Sequence, residues 1–463
     1  MGNNIFNGTI NNSGDIDVNL TNPADSFTMA GTLNMAILNG ASFVATNINI
    51  TGELNFVGTI PAVPASAAKT AGGVVTAGVP GTGTIGGDVV IKSGAVVNVP
   101  EGIAKFSPSS LVKSETGSTV NIGDSGSDAQ LIVQGDAMYQ GLFNLNGAGT
   151  KTVSGDNINF GSGAIVYADD GISQLASNMQ TSFQGGASLI VNNTATVQLE
   201  GTTNFAPGSY LYNGGTIEVM GETSIDATGQ TLSLNGGGAT TYRVASGATF
   251  SLLADSYSPF GGALALDDGA EAHFNFTNPG GELGIIAPVD LTVGIDPLMI
   301  RVTNGSMRVD GTMSVTGAGA AFVMADDGIT LGNTASFDVG AGSDVHFSAA
   351  NIVHNGETIV GLGKVVFEGG VNEWPTNQTI DAAKVKLQGN QVIGDGATLT
   401  ATGDVELDGG SITGGTGSKI ALKGKIVEVK ENTTISVDKI ELLDEIELLD
   451  KLQVAANKTL QLS

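Results

Sequence analysis

A glycine-led phrase recurs along the chain at nearly constant spacing, and this repeat constrains the fold more than any other feature. From Gly94 the pattern glycine, two residues, apolar, any, apolar starts again at residues 117, 140, 163, 186, 208, 229, 247 and 269, with Gln in place of Gly at 140. The steps are 23, 23, 23, 23, 22, 21, 18 and 22 residues. The phase returns at residues 320, 342, 396, 417, 432 and 457. A fixed period of about 20 to 50 residues is typical of repeat proteins.

The third and fifth residues after each start are mostly apolar. Side chains alternate along a strand, so these two positions point the same way and form the wall of a core. The pairs begin with Val97/Val99, Val120/Ile122, Phe143/Leu145, Val166/Ala168, Leu189/Val191 and Leu211/Asn213. We therefore predict one inward register through most of the chain.

Two further strand-like pieces lie between successive starts, such as ATVQLE (195–200) and TNFA (203–206), bounded by turn-forming residues. Three short strands and three corners in about 22 residues predict an all-β fold, a right-handed parallel β-helix (β-solenoid) of about 20 coils. A propeller blade would need about 40 residues. A sandwich would give turn signals every 8 to 12 residues, roughly, but no fixed inward column.

Breaks in the repeat predict the domain organisation. Residues 1–60 form an amino-terminal block of β rungs, residues 61–86 an Ala-, Pro- and Gly-rich loop or linker, and residues 87–463 the main solenoid. Prolines interrupt the period over 276–319, which predicts an irregular insertion or wider coils. The segment 419–463 is more charged and contains KIELLDEIELLDKL (439–452). Taken alone that phrase fits an amphipathic helix, but rungs on both sides favour strands.

The paired aspartates are the most conspicuous candidate site. AIVYADDGI (164–172) and AFVMADDGI (321–329) place Asp169/Asp170 and Asp326/Asp327 at the same distance after a repeat start. Asp followed by Gly is turn chemistry, so we predict that both pairs, and Asp267/Asp268, lie at corners. About seven coils of roughly 4.8 Å each would separate the first two pairs, whereas carboxylates that cleave a glycosidic bond lie within about 10 Å of each other. A lone Ca²⁺ or polysaccharide site at either pair is the alternative.

Other chemical motifs are weak. DSGSDA (124–129) lacks the ligands of a calcium loop, and the histidines, His273, His346 and His354, have no metal-ligand spacing. The first two of them occupy outward positions. The glycines of 72–87 fit a linker better than a nucleotide loop, and no G-x-S-x-G or phosphate-loop sequence is present. We predict no catalytic, cofactor-binding or metal-ligating residues and no cofactor, with Ca²⁺ at contacts left open.

The composition narrows the partners. The chain has 18 Lys plus Arg against 45 Asp plus Glu, and its net charge of −27 disfavours nucleic acid and anionic lipid as partners. Cysteine is absent, which excludes disulfides and thiolate sites. No apolar run reaches the roughly 18 residues of a membrane span, so we predict no transmembrane segment.

The Asn-, Gly- and Thr-rich coils, such as GTINNSGDIDVNL and GASLIVNNTATVQLEGTTNF, resemble the passenger domains of bacterial autotransporters, in particular rickettsial surface antigens of the outer membrane protein B type. The resemblance covers nearly the whole chain and implies an exported surface protein, extracellular or on the bacterial cell surface, that serves as an adhesin or surface coat. No carboxy-terminal membrane barrel and no signal peptide accompany it.

We expect a non-catalytic structural or adhesive protein rather than an enzyme. It would self-associate end to end or laterally into a filament or surface (S-layer-like) array, or bind a host-cell or glycan receptor. Rung-like sequence at both ends predicts that the chain was cut from a longer one or that a partner covers its ends. A polysaccharide-binding or polysaccharide-cleaving β-helix, such as a phage tail spike or a lyase, is the alternative. Scarce aromatics, 5% of residues, and the lack of partner motifs beside the aspartates count against it.

Overall fold

The computed structural model describes residues 3–12, 15–18, 26–36, 41–57, 82–106, 111–124, 126–232, 240–442, 445–448, 452–454 and 459–462. It divides into two compact units, unit 1 (Met1–Asp226) and unit 2 (Ala227–Ser463). The described residues contain strands and turns but no helix.

The strands of unit 1 are short except where two or three run on through a corner. They are β1 (Asn3–Phe6), β2 (Thr9–Asn12), β3 (Asp15–Val18), β4 (Ser26–Met29), β5 (Thr32–Ala36), β6 (Ser42–Ile50), β7 (Glu53–Val57), β8 (Thr82–Ile91), β9 (Val96–Val99), β10 (Gly102–Phe106), β11 (Val112–Ser114), β12 (Thr119–Ile122), β13 (Ala129–Val133), β14 (Asp136–Tyr139), β15 (Leu142–Leu145), β16 (Thr150–Phe160), β17 (Ile165–Phe183), β18 (Ser188–Phe205), β19 (Tyr210–Asn213), β20 (Thr216–Val219) and β21 (Glu222–Leu232), the last of which ends in unit 2.

Unit 2 continues in the same manner. Its strands are β22 (Thr241–Val244), β23 (Thr249–Tyr257), β24 (Ala263–Leu266), β25 (Glu271–Phe276), β26 (Gly281–Ile285), β27 (Val289–Val293), β28 (Leu298–Thr303), β29 (Gly305–Val309), β30 (Thr312–Gly317), β31 (Gly319–Ala325), β32 (Gly328–Leu331), β33 (Ser336–Val339), β34 (Ser343–His354), β35 (Thr358–Trp374), β36 (Gln378–Gln388), β37 (Asn390–Ile393), β38 (Thr398–Ala401), β39 (Asp404–Asp408), β40 (Ser411–Gly414), β41 (Lys419–Leu422), β42 (Ile426–Glu431), β43 (Thr433–Ser436), β44 (Lys439–Leu442), β45 (Glu445–Leu448), β46 (Leu452–Val454) and β47 (Thr459–Leu462).

Three ladders of parallel strands build unit 1, because each coil of the chain places its strands directly over those of the preceding coil. Ladder 1a runs β3, β6, β8, β10, β13, β16, β17, β18, β20. Ladder 1b runs β1, β4, β6, β8, β11, β14, β16, β17, β18, β21. Ladder 1c runs β2, β5, β7, β9, β12, β15, β17, β18, β19.

Unit 2 has the same plan. Ladder 2a runs β22, β24, β27, β30, β33, β35, β36, β38, β41, β44, β47. Ladder 2b runs β23, β25, β28, β31, β34, β35, β36, β39, β42, β45. Ladder 2c runs β26, β29, β32, β34, β35, β37, β40, β43, β46.

The predicted fold class is confirmed, since the described strands stack in parallel as a β-solenoid with three strands per coil. The described residues complete about 16 turns, against the predicted count of about 20. Ladders 1b and 2a nevertheless contain ten and eleven strands, because they include coils that are described only in part. The prediction divided nearly the whole chain by the period, whereas several corners and residues 58–81 lie outside the described residues.

The third and fifth residues after the starts are buried in unit 2 as well, for example Phe250/Leu252 and Leu399/Ala401, but the starts do not form one column there. The starts from residue 94 to 208 all fall on ladder 1c, where the inward pairs from Val97/Val99 to Leu189/Val191 are buried. In unit 2 the starts at 247, 269, 320 and 342 fall on ladder 2b, those at 396, 417 and 457 on ladder 2a, and the start at 432 on ladder 2c. The same glycine turns and the same alternation of apolar residues occur on all three ladders. The glycine-led phrase therefore predicts a strand but not the ladder to which that strand belongs.

The other organisational predictions meet the structure unevenly. Most of the predicted linker 61–86 lies outside the described residues, but its last five residues already belong to β8. Residues 276–319 contain β26 to β30 in continuous ladders, so this stretch consists of wider coils: Ala272 pairs with Ile300, 28 residues later. The phrase at 439–452 contains strands β44 and β45 and the first residue of β46.

Stacked apolar side chains fill each interior. In unit 1 the rings of Phe160, Phe183 and Phe205 succeed one another on ladder 1b with centroids 4.8 and 4.4 Å apart. Each coil buries its side chains mainly against the coils before and after it, so the effect of a core substitution is expected to stay local.

Candidate functional site

The outward face of ladder 1c begins as a row of stacked asparagines. Each Nδ2 donates a hydrogen bond to the Oδ1 of the asparagine one coil earlier, at 2.8, 3.0, 2.7, 2.8 and 2.8 Å. The row consists of Asn11, Asn34, Asn55, Asn98, Asn121 and Asn144. A carboxamide carries both a donor and an acceptor, so identical side chains stabilise one another when the coils stack in register.

The same face becomes aromatic and aliphatic after Asn144. The next three positions of the asparagine row are Tyr167, Ile190 and Tyr212, and the parallel row two residues earlier runs Leu142, Ile165, Ser188 and Tyr210. Tyr210 and Tyr212 are 61% and 56% exposed, and Leu142 and Ile165 are 38% and 42% exposed. We call Leu142, Ile165, Tyr167, Ile190, Tyr210 and Tyr212 the tyrosine face.

The tyrosine face holds every outward tyrosine of the chain. Of the six tyrosines, Tyr139, Tyr242 and Tyr257 are buried in the core, and the single tryptophan, Trp374, is buried as well. The three outward rings make no aromatic contact within the described residues. Sequence reasoning missed this face, although the alternation in SYLYN, with Leu211 pointing inward, places Tyr210 and Tyr212 outward.

The first aspartate pair contacts its own coil and its neighbours. Asp169 Oδ1 accepts a hydrogen bond from Asn192 at 3.2 Å, and Asp170 Oδ1 accepts one from the Gly171 amide at 2.8 Å. Gly171 has φ +62°, and a Cβ there would lie 2.4 Å from the carbonyl oxygen of Ala148. The turn therefore requires glycine after the pair.

A buried lysine lies beside this pair. The Lys151 ammonium donates to the carbonyl oxygens of Gly147 at 2.6 Å and Gly149 at 2.9 Å, and also to that of Asp170. Burial lowers the pKa of Lys151, while the nearby carboxylates of Asp170 and Asp169 act to raise it. The lysine thus closes a corner by satisfying carbonyl groups that would otherwise lack donors.

The other aspartate pairs also bond to neighbouring coils. Asp326 Oδ2 accepts a hydrogen bond from the Asn304 amide at 3.0 Å, and Asp268 Oδ1 accepts one from the Asp296 amide at 3.1 Å. Asp267 accepts from the Arg243 guanidinium at 2.9 Å. The pairs Asp169/Asp170 and Asp326/Asp327 belong to different units.

The histidines divide into two kinds. His273 and His346 lie outward, beside Glu271 at 2.9 Å and Glu368 at 2.8 Å. His354 lies in the core of unit 2, fully buried, with Nδ1 2.6 Å from Glu357 Oε1 and its ring stacked 3.5 Å from that of Trp374. Burial lowers the pKa of His354, and the Glu357 carboxylate opposes that change.

These places differ in the chemical groups that they offer. Among the described residues there is no group of three or more His, Cys, Asp or Glu that could hold a metal ion. A polar cleft of about 350 Å³ beside Gln134, Ser154 and Asn178 is lined by a single carboxylate, that of Asp156. The tyrosine face instead offers rings, aliphatic side chains and, next to them, carboxamides.

The described residues contain no helix of the length and apolarity needed to cross a membrane. Comparison of the sequence with protein families found no family model that matches it, and comparison with curated proteins found no similar sequence.

Proposed function

We propose that the chain is a non-catalytic adhesive protein of a bacterial cell surface, which binds its partner through the tyrosine face. One observation carries the proposal: all three outward tyrosines and two exposed aliphatic side chains lie together on one face of unit 1, whereas the other tyrosines are buried. Aromatic side chains left in water and clustered on one face are typical of binding sites.

The residues around the tyrosine face support an extracellular role. Carboxamide ladders and an excess of carboxylates keep the surface of the solenoid hydrated, which fits an adhesive protein whose surface is exposed to solvent. The resemblance of the coils to autotransporter passengers points the same way.

The enzyme alternative has less support. Glycoside hydrolysis uses two carboxyl groups about 5 to 9.5 Å apart. The Asp156 cleft contributes one, and Asn178 already donates a hydrogen bond to it at 3.0 Å. The carboxylates of the aspartate pairs accept hydrogen bonds from neighbouring backbone amides and side chains, which is a structural role.

Attachment of coated beads tests the proposal. Beads carrying the full chain are incubated with cultured animal cells, and attachment is compared for the wild type and for Y167S/Y210S/Y212S. The matched control is I172S/M179S/M220S, which removes three exposed apolar side chains of unit 1 that lie off the face, at 40%, 64% and 46% exposure. We expect the tyrosine variant to lose most attachment and the control to retain it.

Two results would overturn the proposal. One is equal attachment by all three proteins. The other is a loss of self-assembly without a loss of attachment. In that case light scattering would show large particles for the wild type and none for the tyrosine variant, while both attach equally. The tyrosine face would then join copies of the chain into a filament or array.

A further inference from the structure

We infer that the ligand of the tyrosine face is an extended neutral polysaccharide of β-linked pyranose units, lying along the stacking direction of the coils. The inference rests on the proposed function and specifies its ligand.

The ring spacing matches a chain of sugars. Tyr167 and Tyr212 occupy the same row two coils apart, since Tyr167 pairs with Ile190 and Ile190 with Tyr212. Parallel strands stack at about 4.8 Å, so the two tyrosines leave the backbone about 10 Å apart. That distance is close to the length of two sugar units in an extended β-linked chain, so alternate sugars meet a ring. Tyr210, on the same strand as Tyr212, widens the platform beside them.

Aromatic rings suit pyranose rings whose substituents are equatorial. Such a sugar presents a face of C–H groups, which packs against the π-face of a tyrosine, and directs its hydroxyls sideways. Ile190 lies between Tyr167 and Tyr212 in their row, so that row is continuously apolar, and Ile165 lies beside Tyr167 on the same strand.

The carboxamide row extends the same path. Asn144 precedes Tyr167 in register, and Asn121 precedes Asn144. Each ladder bond uses one N–H of an asparagine and one lone pair of the next, so Asn121 keeps one N–H and one lone pair at its outer side. Sugar hydroxyls are both donors and acceptors, and a row of such groups repeating at about 4.8 Å matches them.

Charge selects a neutral polymer. The positions of both outward rows from Leu142 to Tyr212 contain no basic side chain. With a net charge of −27 on the chain, polyuronates and sulfated glycans would be repelled.

The size of the face favours a slender ligand over a second copy of the chain. Six partly exposed side chains offer on the order of 500 Å², whereas a stable protein interface buries about 800 Å² on each partner. A polysaccharide chain needs only a strip about one sugar wide.

Isothermal titration of the full chain with cellohexaose and chitohexaose tests the inference, with a hexamer of galacturonic acid as the anionic comparison. We expect a neutral hexamer to bind, Y167S/Y212S to weaken binding roughly tenfold or more, and Y167F/Y212F to bind within about twofold of the wild type because the rings remain. I172S serves as the control off the face, and circular dichroism checks that each variant is folded.

The outcomes separate the two proposals. If neither neutral hexamer binds, or if Y167S/Y212S binds as the wild type does, the polysaccharide inference is overturned. If bead attachment nevertheless depends on the tyrosines, the adhesive function stands with a protein as its partner. Tight binding of the galacturonate hexamer, equal to that of the neutral hexamers, would overturn the argument from charge.

Discussion

The two units stabilise the outside of the same fold by different means. Unit 1 contains 5 of the 18 basic residues and stacks uncharged carboxamides, as in the row from Asn11 to Asn144. Unit 2 contains the other 13 and uses ion pairs: Lys384 and Lys386 lie 3.1 and 3.7 Å from the Glu406 carboxylate. A carboxamide can stack on a copy of itself, whereas like charges in register repel each other. Like charges that pair in register, such as Lys364 and Lys384, therefore need a counter-ion such as the Glu406 carboxylate, whereas a carboxamide row can repeat one residue without one.

The interiors differ as well. Unit 1 buries the single Lys151 ammonium against backbone carbonyls, while unit 2 buries His354 and Glu357 as a pair beside Trp374. His354 Nε2 and Glu357 Oε2 have no hydrogen-bond partner among the described residues. The core of unit 2 therefore depends on one polar cluster in a way that the phenylalanine stack of unit 1 does not.

Replacing Trp374 by alanine is expected to give the largest effect. It removes a fully buried ring and the donor to Gln391 Oε1, so we expect a loss of about 3 to 5 kcal/mol or more in unit 2. Hydrogen exchange should show faster exchange in β34 to β37 and unchanged exchange in unit 1.

Phe183→Ala is the matched change in unit 1, since it removes a buried ring of the phenylalanine stack that has no polar partner. We expect a smaller loss there, confined to unit 1. If Trp374→Ala and Phe183→Ala lower the free energy of unfolding equally, the polar cluster of His354, Glu357 and Trp374 adds nothing beyond the cost of the cavity.

Lys151→Met tests the buried ammonium of unit 1. The methionine fills most of the space but leaves the carbonyls of Gly147 and Gly149 without their donor, so we expect a loss of about 1 to 3 kcal/mol. Urea unfolding followed by tyrosine and tryptophan fluorescence, with hydrogen exchange of β16 and β17, measures it. Lys105→Met, at an outward position of the same unit, is the control and should change stability by less than about 0.5 kcal/mol.

The pH dependence of unit 2 tests the buried pair. Because burial lowers the pKa of His354 in the folded state, the unfolded chain takes up a proton first, below about pH 6.5. The stability is therefore fully present above that pH and falls as the pH drops toward the lower folded pKa.

Hydrogen exchange of β34 and β35 at pH 7.5 and 5.5, corrected for intrinsic rates, measures that fall. His354→Gln should abolish it, whereas His346→Gln, at an outward position, should preserve it because His354 is still present. A pH dependence that persists unchanged in His354→Gln would assign it to carboxyl groups instead.

These comparisons also show what the sequence could and could not reveal. The alternation of apolar residues and the turn glycines are local, so the fold class and the strand at 439–452 could be predicted from them. The choice of ladder could not, because a start such as Gly396 looks the same on ladder 2a as Gly342 does on ladder 2b. The prolines of 276–319 read as a break, yet the backbone absorbs them in a wider coil.

The candidate sites were harder to predict for a related reason. The tyrosine face is assembled from side chains about 22 residues apart, and only the exact stacking of coils brings Tyr167 and Tyr212 into one row. His354 was visible in principle, since it shares the inward side of β34 with Ile352. Polar residues of a strand usually face the solvent, so nothing in the sequence gave a reason to place His354 in the core.

The smallest expected effect separates the two kinds of outer ladder. Burial opposes ionisation of Glu406, but the hydrogen bond from Lys384 and the charges of Lys364 and Lys386 outweigh it and lower the pKa of that carboxyl group. Glu406→Gln should therefore destabilise β39 by about 1 kcal/mol or less at low salt. Because the lost interaction is between charges, the effect should shrink in 1 M NaCl, where the screening length is about 3 Å.

Asn121→Ala is the corresponding change in the carboxamide row. It removes the hydrogen bonds to Asn98 and Asn144, and we expect a loss of similar size that does not depend on salt, since no net charge is involved. Hydrogen exchange of β12 and β39 at low salt and in 1 M NaCl measures the effects of Asn121→Ala and Glu406→Gln. Equal salt dependence in the two variants would contradict the distinction between the units, because charge would then be irrelevant to how either ladder is held.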